Sequence, residues 1–229
     1  MDAILTPAES QALFLSLRVS GIAVFGALPF AFALALWLSR SRFAGRAILD
    51  GLVLLPLVLP PVAVGFLLLS IFGTRAGLGQ FLWQTFGIRF VFSWTGAALA
   101  SGLITLPFQV RAIRLALDAS DRRLNEAAAT VGANWFDRLV NITVPLAFPG
   151  ILAGIITAFA ASLGEFGAII TFVSNIPGET RTLPLAIYTA LQTPDGAAAA
   201  ARLSLISIIL ALLFLGLAEL AAARARKAV

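Results

Sequence analysis

Residues 124–150 read LNEAAATVGANWFDRLVNITVPLAFPG and form a polar, alanine-rich interruption in a chain that is otherwise mostly apolar. The 229 residues are 60% hydrophobic and only 12% charged, whereas soluble domains carry about 25% charged residues. A chain of this size cannot bury so much apolar surface in a core of its own. The sequence therefore predicts an all-α integral membrane protein with a polar loop, about residues 116–142, outside the hydrocarbon.

The polar stretch itself predicts two short helices with a bend between them. Ser120 or Asp121 can cap the first helix, which runs through the alanines. Gly132 lacks a Cβ and therefore permits the left-handed backbone that a sharp bend requires. The second helix carries an aromatic pair and is expected to end at Pro145. Together they form a helix–turn–helix hook (residues 122–142), with small side chains on one arm and aromatic side chains on the other.

Five segments have the length and composition of membrane-spanning helices. A bilayer core takes about 20 mainly apolar residues per helix, and a helix satisfies its own backbone hydrogen bonds in lipid. The segments are approximately residues 12–38, 47–72, 92–115, 144–172 and 203–223. Segment 182–192 is apolar but about half as long as a full span, which predicts a re-entrant or surface helix, with a sixth crossing as the alternative. One membrane domain, residues 1–229 with a core of about 10–220, is the natural division of the chain.

The positions of the basic residues predict the orientation in the membrane. Eleven of the sixteen basic residues fall on one side of the bilayer if the five segments all cross it. These eleven are Arg40, Arg42, Arg46, Arg111, Arg114, Arg122, Arg123, Arg138, Arg224, Arg226 and Lys227. The positive-inside rule places this side, with the hook and the C-terminus, in the cytoplasm and the N-terminus outside.

The first ten residues, MDAILTPAES, predict the start of a helix and not a signal peptide. They carry acidic residues where a signal peptide has a basic n-region. Thr6 and Glu9 have the spacing of a capping box, with Pro7 at the first helical position.

The composition of the hook leaves two interpretations open. The alanines allow another helix to approach closely, and exposed aromatic side chains often anchor a partner protein in a groove. The same pattern also suits an ordinary cytoplasmic loop whose apolar face rests on the membrane surface.

The spacing of the hook residues resembles the EAA loop of binding-protein-dependent ABC importer permeases. That loop reads E-A-A, three residues, G, nine residues and I-x-L-P. Here Glu126, Ala127 and Ala128 are followed by Gly132 at the same spacing and by ITVP at residues 142–145. The one departure from the pattern is valine for leucine at position 144.

This resemblance implies that the hook sits in a cleft of a separate ATP-binding subunit and passes its movements to the membrane helices. It also implies the helical bundle of a type I ABC importer permease and a homodimer of the chain. The residues that it assigns to coupling are Glu126, Ala127, Ala128, Gly132, Ala133, Trp135 and Phe136. The composition independently requires a separate ATPase, because a P-loop needs a lysine before Ser or Thr and the one lysine is Lys227.

Two further stretches narrow the resemblance to one branch of the family. LLPLVLPPVAVGFLLL at residues 54–69 and SLGEFGAIITFVSNIPGETRT at residues 162–182 are similar to the molybdate permeases. Sulfate and thiosulfate permeases share the GEFG and NIP elements and are the alternative. The molybdate branch implies delivery of molybdate, or the sterically similar tungstate, by an extracytoplasmic molybdate-binding protein.

A path for a tetrahedral dianion should offer hydroxyls, amides and helix ends instead of a fixed cluster of cations. The prolines of residues 54–69 predict either a packing kink or a broken helix that lines this path. Glu165 would repel an anion, so we expect it to bond helix ends near the outer gate. The candidate path or gate residues are Pro60, Pro61, Glu165, Thr171, Ser174 and Asn175. The G-x-x-x-G pair Gly150 and Gly154 predicts close helix packing.

Two other classes of protein suit the sequence less well. A stand-alone secondary anion transporter often shows inverted repeats or several ionisable residues within the membrane, and neither is evident here. A membrane enzyme would find poor catalytic material in a chain without histidine or cysteine and with few acids. We expect no metal and no cofactor, and the charge of +5 reflects topology and lipid contact instead of nucleic-acid binding.

Overall fold

The computed structural model describes residues 5–40 and 45–227, and every regular element in them is a helix. The helices are α1 (Pro7–Arg40), α2 (Arg46–Val58), α3 (Pro61–Phe72), α4 (Gly77–Phe86), α5 (Trp94–Ala119), α6 (Arg122–Thr130), α7 (Trp135–Arg138), α8 (Val144–Leu163), α9 (Gly167–Val173), α10 (Leu183–Leu191) and α11 (Ala197–Lys227). A π-helical turn, Leu139–Thr143, joins α7 to α8. Arg42, one of the basic residues used to predict the orientation, lies outside the described residues.

Four helices of the described chain are long and apolar enough to cross a membrane, and a fifth span is present if one bent helix pair is counted as a single crossing. The four are α1, α5, the run Trp135–Leu163, and Ala197–Leu217 of α11. The bent pair is α2 and α3, whose direction changes by 108° at the break between them. Pro60 and Pro61 stand at this break, and Pro61 opens α3 at a position where its missing N–H costs no helical bond. The helix is therefore broken at this point, and its lining of the path stays a prediction.

The predicted fourth span, residues 144–172, is wrong at its C-terminal end. Helix α8 ends at Leu163, and the chain turns at Gly164 before the seven-residue helix α9. The Oε1 atom of Glu165 accepts a hydrogen bond of 2.8 Å from the backbone N–H of Ala168 and thereby caps the start of α9. Hydrophobicity cannot reveal this break, because the residues on both sides of it are apolar.

Helices α1, α5 and α8 form the centre of the bundle, and one hydroxyl from each meets inside it. Ser162 Oγ of α8 donates to Ser20 Oγ of α1 over 2.9 Å and lies 2.6 Å from Ser101 Oγ of α5. All three side chains are buried. Buried hydroxyls need such partners, because an unpaired polar group is costly to remove from water.

The predicted close packing at the G-x-x-x-G pair is confirmed. A Cβ atom at Gly150 would lie 2.5 Å from the carbonyl oxygen of Ala112 in α5. A Cβ atom at Gly154 would lie 3.0 Å from the Cα of Gln109, also in α5. Side chains at either position would therefore push α8 away from α5.

Segment 182–192 forms the short helix α10, as its length predicted. Its nine residues are too few to cross the hydrocarbon, so the alternative of a sixth crossing there is not realised. The backbone N–H of Leu183 donates to Ser16 Oγ of α1 over 2.7 Å, and this bond holds the start of α10 against the first helix.

The predicted capping box at the start of α1 is confirmed. The backbone N–H of Thr6 donates to Glu9 Oε2 over 2.8 Å, and the N–H of Glu9 donates to Thr6 Oγ1 over 3.3 Å. Arg202 Nε of α11 also donates to Glu9 Oε1, over 3.1 Å. One carboxylate therefore caps α1 and links it to the last helix.

Candidate functional site

The first arm of the hook is α6, and its N-cap is Asp121. The Asp121 side chain accepts a hydrogen bond of 2.9 Å from the backbone N–H of Arg123. Ser120, the other predicted cap, instead donates its hydroxyl to the carbonyl oxygen of Leu117 over 2.7 Å and closes α5. The geometry thus selects Asp121 from the two candidates.

The bend of the hook lies at Gly132, as predicted. Gly132 has a φ of +89°, in the left-handed region that favours glycine. The backbone N–H of Ala133 donates to the carbonyl oxygen of Ala128 over 3.0 Å, which closes the end of α6. Asn134 Oδ1 then accepts a bond of 2.9 Å from the N–H of Asp137 and starts α7.

The predicted end of the second arm at Pro145 is wrong. Helix α7 continues through the π-helical turn into α8, so that Trp135–Leu163 is one uninterrupted span. A proline ring clashes with the carbonyl four residues earlier in a regular α-helix. The π-turn ends at Thr143, two residues before Pro145, and changes the hydrogen-bond register there, so the helix passes the proline without ending.

The tip of the hook exposes large apolar side chains. The exposed fractions are 83% for Val131, 57% for Trp135 and 64% for Phe136. The seven residues predicted to couple lie close together in sequence around the bend, and none is buried: Glu126, Ala127, Gly132, Trp135 and Phe136 are exposed, and Ala128 and Ala133 are half-buried. An exposed aromatic tip on a bent, capped hook has the form of a docking element.

A polar clasp, formed by Arg40, Asn125, Arg138 and Thr143, fastens the hook to the membrane helices. Arg40 Nη2 at the end of α1 donates to Thr143 Oγ1 over 2.7 Å. The Thr143 hydroxyl lies 3.4 Å from Asn125 Oδ1 of α6. Arg138 Nη1 donates to the carbonyl oxygen of Asn125 over 3.4 Å. Sequence reasoning missed this clasp because Arg40 and Thr143 are 103 positions apart.

A second polar group joins three helices beside the clasp. Arg114 of α5 forms ion pairs with Asp50 of α2 and, over 3.4 Å, with Asp118. Asp118 Oδ1 accepts a hydrogen bond of 2.6 Å from Ser39 Oγ of α1. These partly exposed pairs contribute little stability individually. Their consequence is positional, because they connect the broken helix to α5 at the end of the bundle that carries the hook.

The structure brings several of the predicted path residues together where α3 packs on α9. A Cβ atom at Gly167 would lie 2.8 Å from the Pro61 Cβ, and one at Gly65 would lie 2.8 Å from the Thr171 Cβ. The Thr171 hydroxyl donates to the carbonyl oxygen of Gly167 over 2.8 Å, so it is engaged in this conformation. Glu165 is buried beside this contact, and Pro60 is exposed at the break.

The other two predicted path residues, Ser174 and Asn175, begin the loop between α9 and α10. Ser174 has a φ of +68°, a left-handed conformation that is uncommon outside glycine. Its carbonyl oxygen accepts a bond of 2.9 Å from Thr180 Oγ1. Asn175 Nδ2 donates to Thr189 Oγ1 over 2.8 Å, and its Oδ1 accepts from Arg181 Nε over 2.9 Å. Asn175 therefore holds the loop in place, and its contact with an anion stays a prediction.

Comparison with known families agrees with the hook and the helical bundle. The profile of the family described as "Binding-protein-dependent transport system inner membrane component" matches residues 27–227, which include both the broken helix and the hook. The chain belongs to this family. It is thus a multi-pass inner-membrane component of a transport system, and the resemblance drawn from the EAA spacing is confirmed.

Individual members of the binding-protein-dependent family match over most of the chain. The molybdenum transport system permease protein ModB of Escherichia coli (strain K12) is 55% identical over 94% of both chains. The sulfate transport system permease protein CysT of Salmonella typhimurium (strain LT2) is 35% identical over 90% of this chain and 74% of its own.

A solved structure confirms the predicted fold class. The crystal structure of a bacterial ABC transporter that imports the acidic polysaccharide alginate superposes with a TM-score of 0.72. The match covers 97% of this chain and 80% of that one, at 21% identity. The chain therefore has the all-α fold of an ABC importer permease.

Proposed function

We propose that this chain is the permease subunit of an ABC importer that carries molybdate into the cell, with tungstate as a similar substrate. The observation that carries this proposal is the 55% identity, over 94% of the chain, to a molybdenum transport permease. The sulfate permease is a more distant relative at 35% identity, and sulfate or thiosulfate is therefore the second candidate.

In this proposal three kinds of subunit divide the work. An extracytoplasmic binding protein delivers the oxyanion, this chain provides the membrane path, and a separate subunit hydrolyses ATP. The sequence supports the division, because its one lysine lies at position 227 and cannot form a P-loop. The chain itself is then a non-catalytic transport subunit.

The hook is the element through which the ATP-binding subunit moves the membrane helices. Trp135 and Phe136 would anchor it in a cleft of that subunit, because large exposed aromatic side chains supply most of the binding energy in such contacts. Helix Trp135–Leu163 has 29 residues and is about 44 Å long at 1.5 Å per residue. A push on the hook therefore acts directly on a membrane span, without an intervening flexible joint.

The clasp and the neighbouring ion pairs supply two further routes for this movement. Arg40 connects the hook to α1 through Thr143. Asp50 connects the broken helix to α5 through Arg114. A displaced hook would thus shift α8 and α1 together and disturb the break at Pro60, which we propose as part of the gate with Pro61, Glu165, Thr171, Ser174 and Asn175.

Two copies of the chain would form the path between them. Within a single copy, a groove between α1 and α5 is lined almost wholly by apolar side chains. This groove would not conduct a dianion. Around the break in the second span, Val58, Val62 and Phe66 are 79%, 54% and 61% exposed. This apolar face can pack against a second copy and place the two broken helices opposite each other.

The substrate assignment predicts a selective stimulation of ATP hydrolysis. In proteoliposomes that contain the chain and its ATP-binding subunit, addition of the molybdate-loaded binding protein is expected to raise the ATPase rate, and tungstate should do the same. A sulfate-loaded sulfate-binding protein should leave the rate at its basal value. Stimulation by sulfate alone would assign the chain to the second candidate, and molybdate uptake without the ATP-binding subunit would contradict an ABC importer.

The proposed orientation places the N-terminus outside and the hook and the C-terminus in the cytoplasm. It predicts that a reporter active only in the cytoplasm will be active when it is fused after Val229. The same reporter inserted after Thr74, in the turn between α3 and α4, should be inactive, because that turn would face outward. The reverse pattern would overturn the orientation and the proposed role of the hook.

A further inference from the structure

A groove between α1 and α5 has the dimensions of a small-molecule site and lies open on the outside of the bundle. Its volume is about 410 Å³, within the usual range of about 300–1,000 Å³ for ligand pockets. Small residues of the two helices line its inner part, and larger apolar side chains form its walls. Its lining includes Ile22, Gly26 and Phe30 of α1 and Trp94, Leu103 and Leu106 of α5.

A cation stands at one end of this groove. The guanidinium carbon of Arg18 lies 3.7 Å from the centre of the Trp94 ring, and Trp94 itself lines the groove. Stacking on an indole orients the planar guanidinium and leaves its N–H groups free to donate at the ring edge. Among the residues that the structure describes, no carboxylate forms an ion pair with Arg18.

Arg18 stands at the level of the lipid headgroups. None of residues 19–39 is charged, and the next charged residue of α1 is Arg40. At 1.5 Å per residue the two arginines are about 33 Å apart along the helix, close to the hydrocarbon thickness of about 30 Å. Trp94 lies at the same level, where aromatic side chains are enriched in membrane proteins.

The groove runs from this level into the hydrocarbon. Arg18 lies beside Trp94, and a Cβ atom at Gly102 would lie 3.2 Å from the carbonyl oxygen of Ala23, so α1 and α5 run in the same direction. The lining extends along α5 from Trp94 to Leu106, a distance of about 18 Å. The groove is therefore an apolar channel below a headgroup-level cation.

We propose that the groove binds an anionic phospholipid, with the phosphate at Arg18 and one acyl chain along α1 and α5. A guanidinium forms strong, directional hydrogen bonds to phosphate, and the apolar walls match a hydrocarbon chain. The charge favours this occupant over a helix of a second copy, because a lipid phosphate lies at the headgroup level where Arg18 stands, and no ion pair joins Arg18 to an acid among the described residues. The site requires only that the chain spans a membrane, so it stands apart from the proposed substrate.

The test compares lipids that differ only in the headgroup. The full chain is placed in nanodiscs of equal parts phosphatidylglycerol and phosphatidylcholine with identical acyl chains, and the lipids that it retains are measured by native mass spectrometry. We expect retained phosphatidylglycerol to exceed phosphatidylcholine by about tenfold. Both lipids offer a phosphate to Arg18, but the choline cation of phosphatidylcholine offsets that charge beside the guanidinium. Equal retention of the two lipids would overturn the proposal.

Two variants separate the headgroup from the groove. Arg18→Gln should abolish the preference for phosphatidylglycerol, whereas Arg75→Gln should keep it. Gly26→Leu should displace both lipids, because a side chain at Gly26 meets no atom within 4 Å and would occupy the groove. Gly21→Leu is the matched control, since Gly21 is equally unobstructed but does not line the groove. If Gly26→Leu left the lipids in place, or dissociated a dimer instead, the groove would not be a lipid site.

A second measurement does not depend on how well the groove variants fold. With Trp37, Trp83 and Trp135 replaced by phenylalanine, Trp94 alone reports on lipid contact. Phosphatidylglycerol with brominated acyl chains should quench its fluorescence more strongly than brominated phosphatidylcholine, and Arg18→Gln should remove the difference. Equal quenching by the two lipids in the chain that keeps Arg18 would contradict the proposal.

Discussion

Replacing Trp135 with alanine is expected to weaken binding of the ATP-binding subunit by about thirtyfold. The indole is 57% exposed at the tip of the hook, so the substitution removes little internal packing. Central aromatic anchors contribute about 2 kcal/mol or more to protein interfaces, which corresponds to this change in Kd. The Kd of the purified chain for its ATP-binding subunit measures the effect, and Phe136→Ala should act in the same direction.

Trp83 provides a matched control for the change at Trp135. It is 54% exposed on α4, which the proposed orientation places on the outer side of the membrane. Trp83→Ala should therefore leave the Kd for the ATP-binding subunit unchanged. An equal loss in both variants would indicate a general loss of structure, and an unchanged Kd in Trp135→Ala would refute the docking role of the hook tip.

Replacing Gly132 with valine is expected to reduce both molybdate uptake and stimulated ATP hydrolysis by about tenfold or more. The φ of Gly132 is +89°, and a Cβ in left-handed backbone costs about 1–2 kcal/mol, with more for a β-branched residue. The hook can relieve this strain by opening its bend, because nothing lies within 4 Å of the new Cβ to hold it in place. The misplaced hook would then no longer follow the ATP-binding subunit. A loss of about 1.4 kcal/mol at the coupled step corresponds to tenfold in rate.

Gly87→Val is the control for the effect of backbone strain alone, away from the hook. It has a φ of +65° at the end of α4, and a Cβ there also meets no atom within 4 Å. Gly87→Val should leave uptake close to normal, and Gly132→Asn should retain most of the activity because asparagine tolerates left-handed backbone. Membrane insertion of Gly132→Val, measured by fractionation, should match the unsubstituted chain. Normal uptake in this variant would contradict coupling through the bend.

The sequence was informative wherever a feature depends on a short run of residues. The capping box at Thr6 and Glu9, the bend at Gly132 and the G-x-x-x-G contact at Gly150 were all predicted and are all present. Each follows from local backbone chemistry or from the size of a side chain. The same reasoning left Ser120 and Asp121 undecided as caps, because both residue types can accept the required bond.

The sequence was misleading where apolar residues lie on both sides of a structural change. Residues 144–172 have the composition of one span, but Glu165 caps a new helix at Gly167. Pro145 indicates a helix end, but the π-turn at Leu139–Thr143 carries the second arm past it into α8. Composition and single-residue preferences cannot detect a hydrogen-bond register that depends on the packing around it.

The sequence by itself determined that this chain lies in a membrane, that a bent hook interrupts its apolar segments, and that Pro60 and Pro61 disturb the second span. These properties depend on composition and on neighbouring residues. Only the tertiary structure decided that Arg40 fastens the hook through Thr143, that α3 packs on α9, and that Arg18 stands over an apolar groove. The physical reason is that each of these contacts joins residues far apart in the chain, and their distances are set by helix packing.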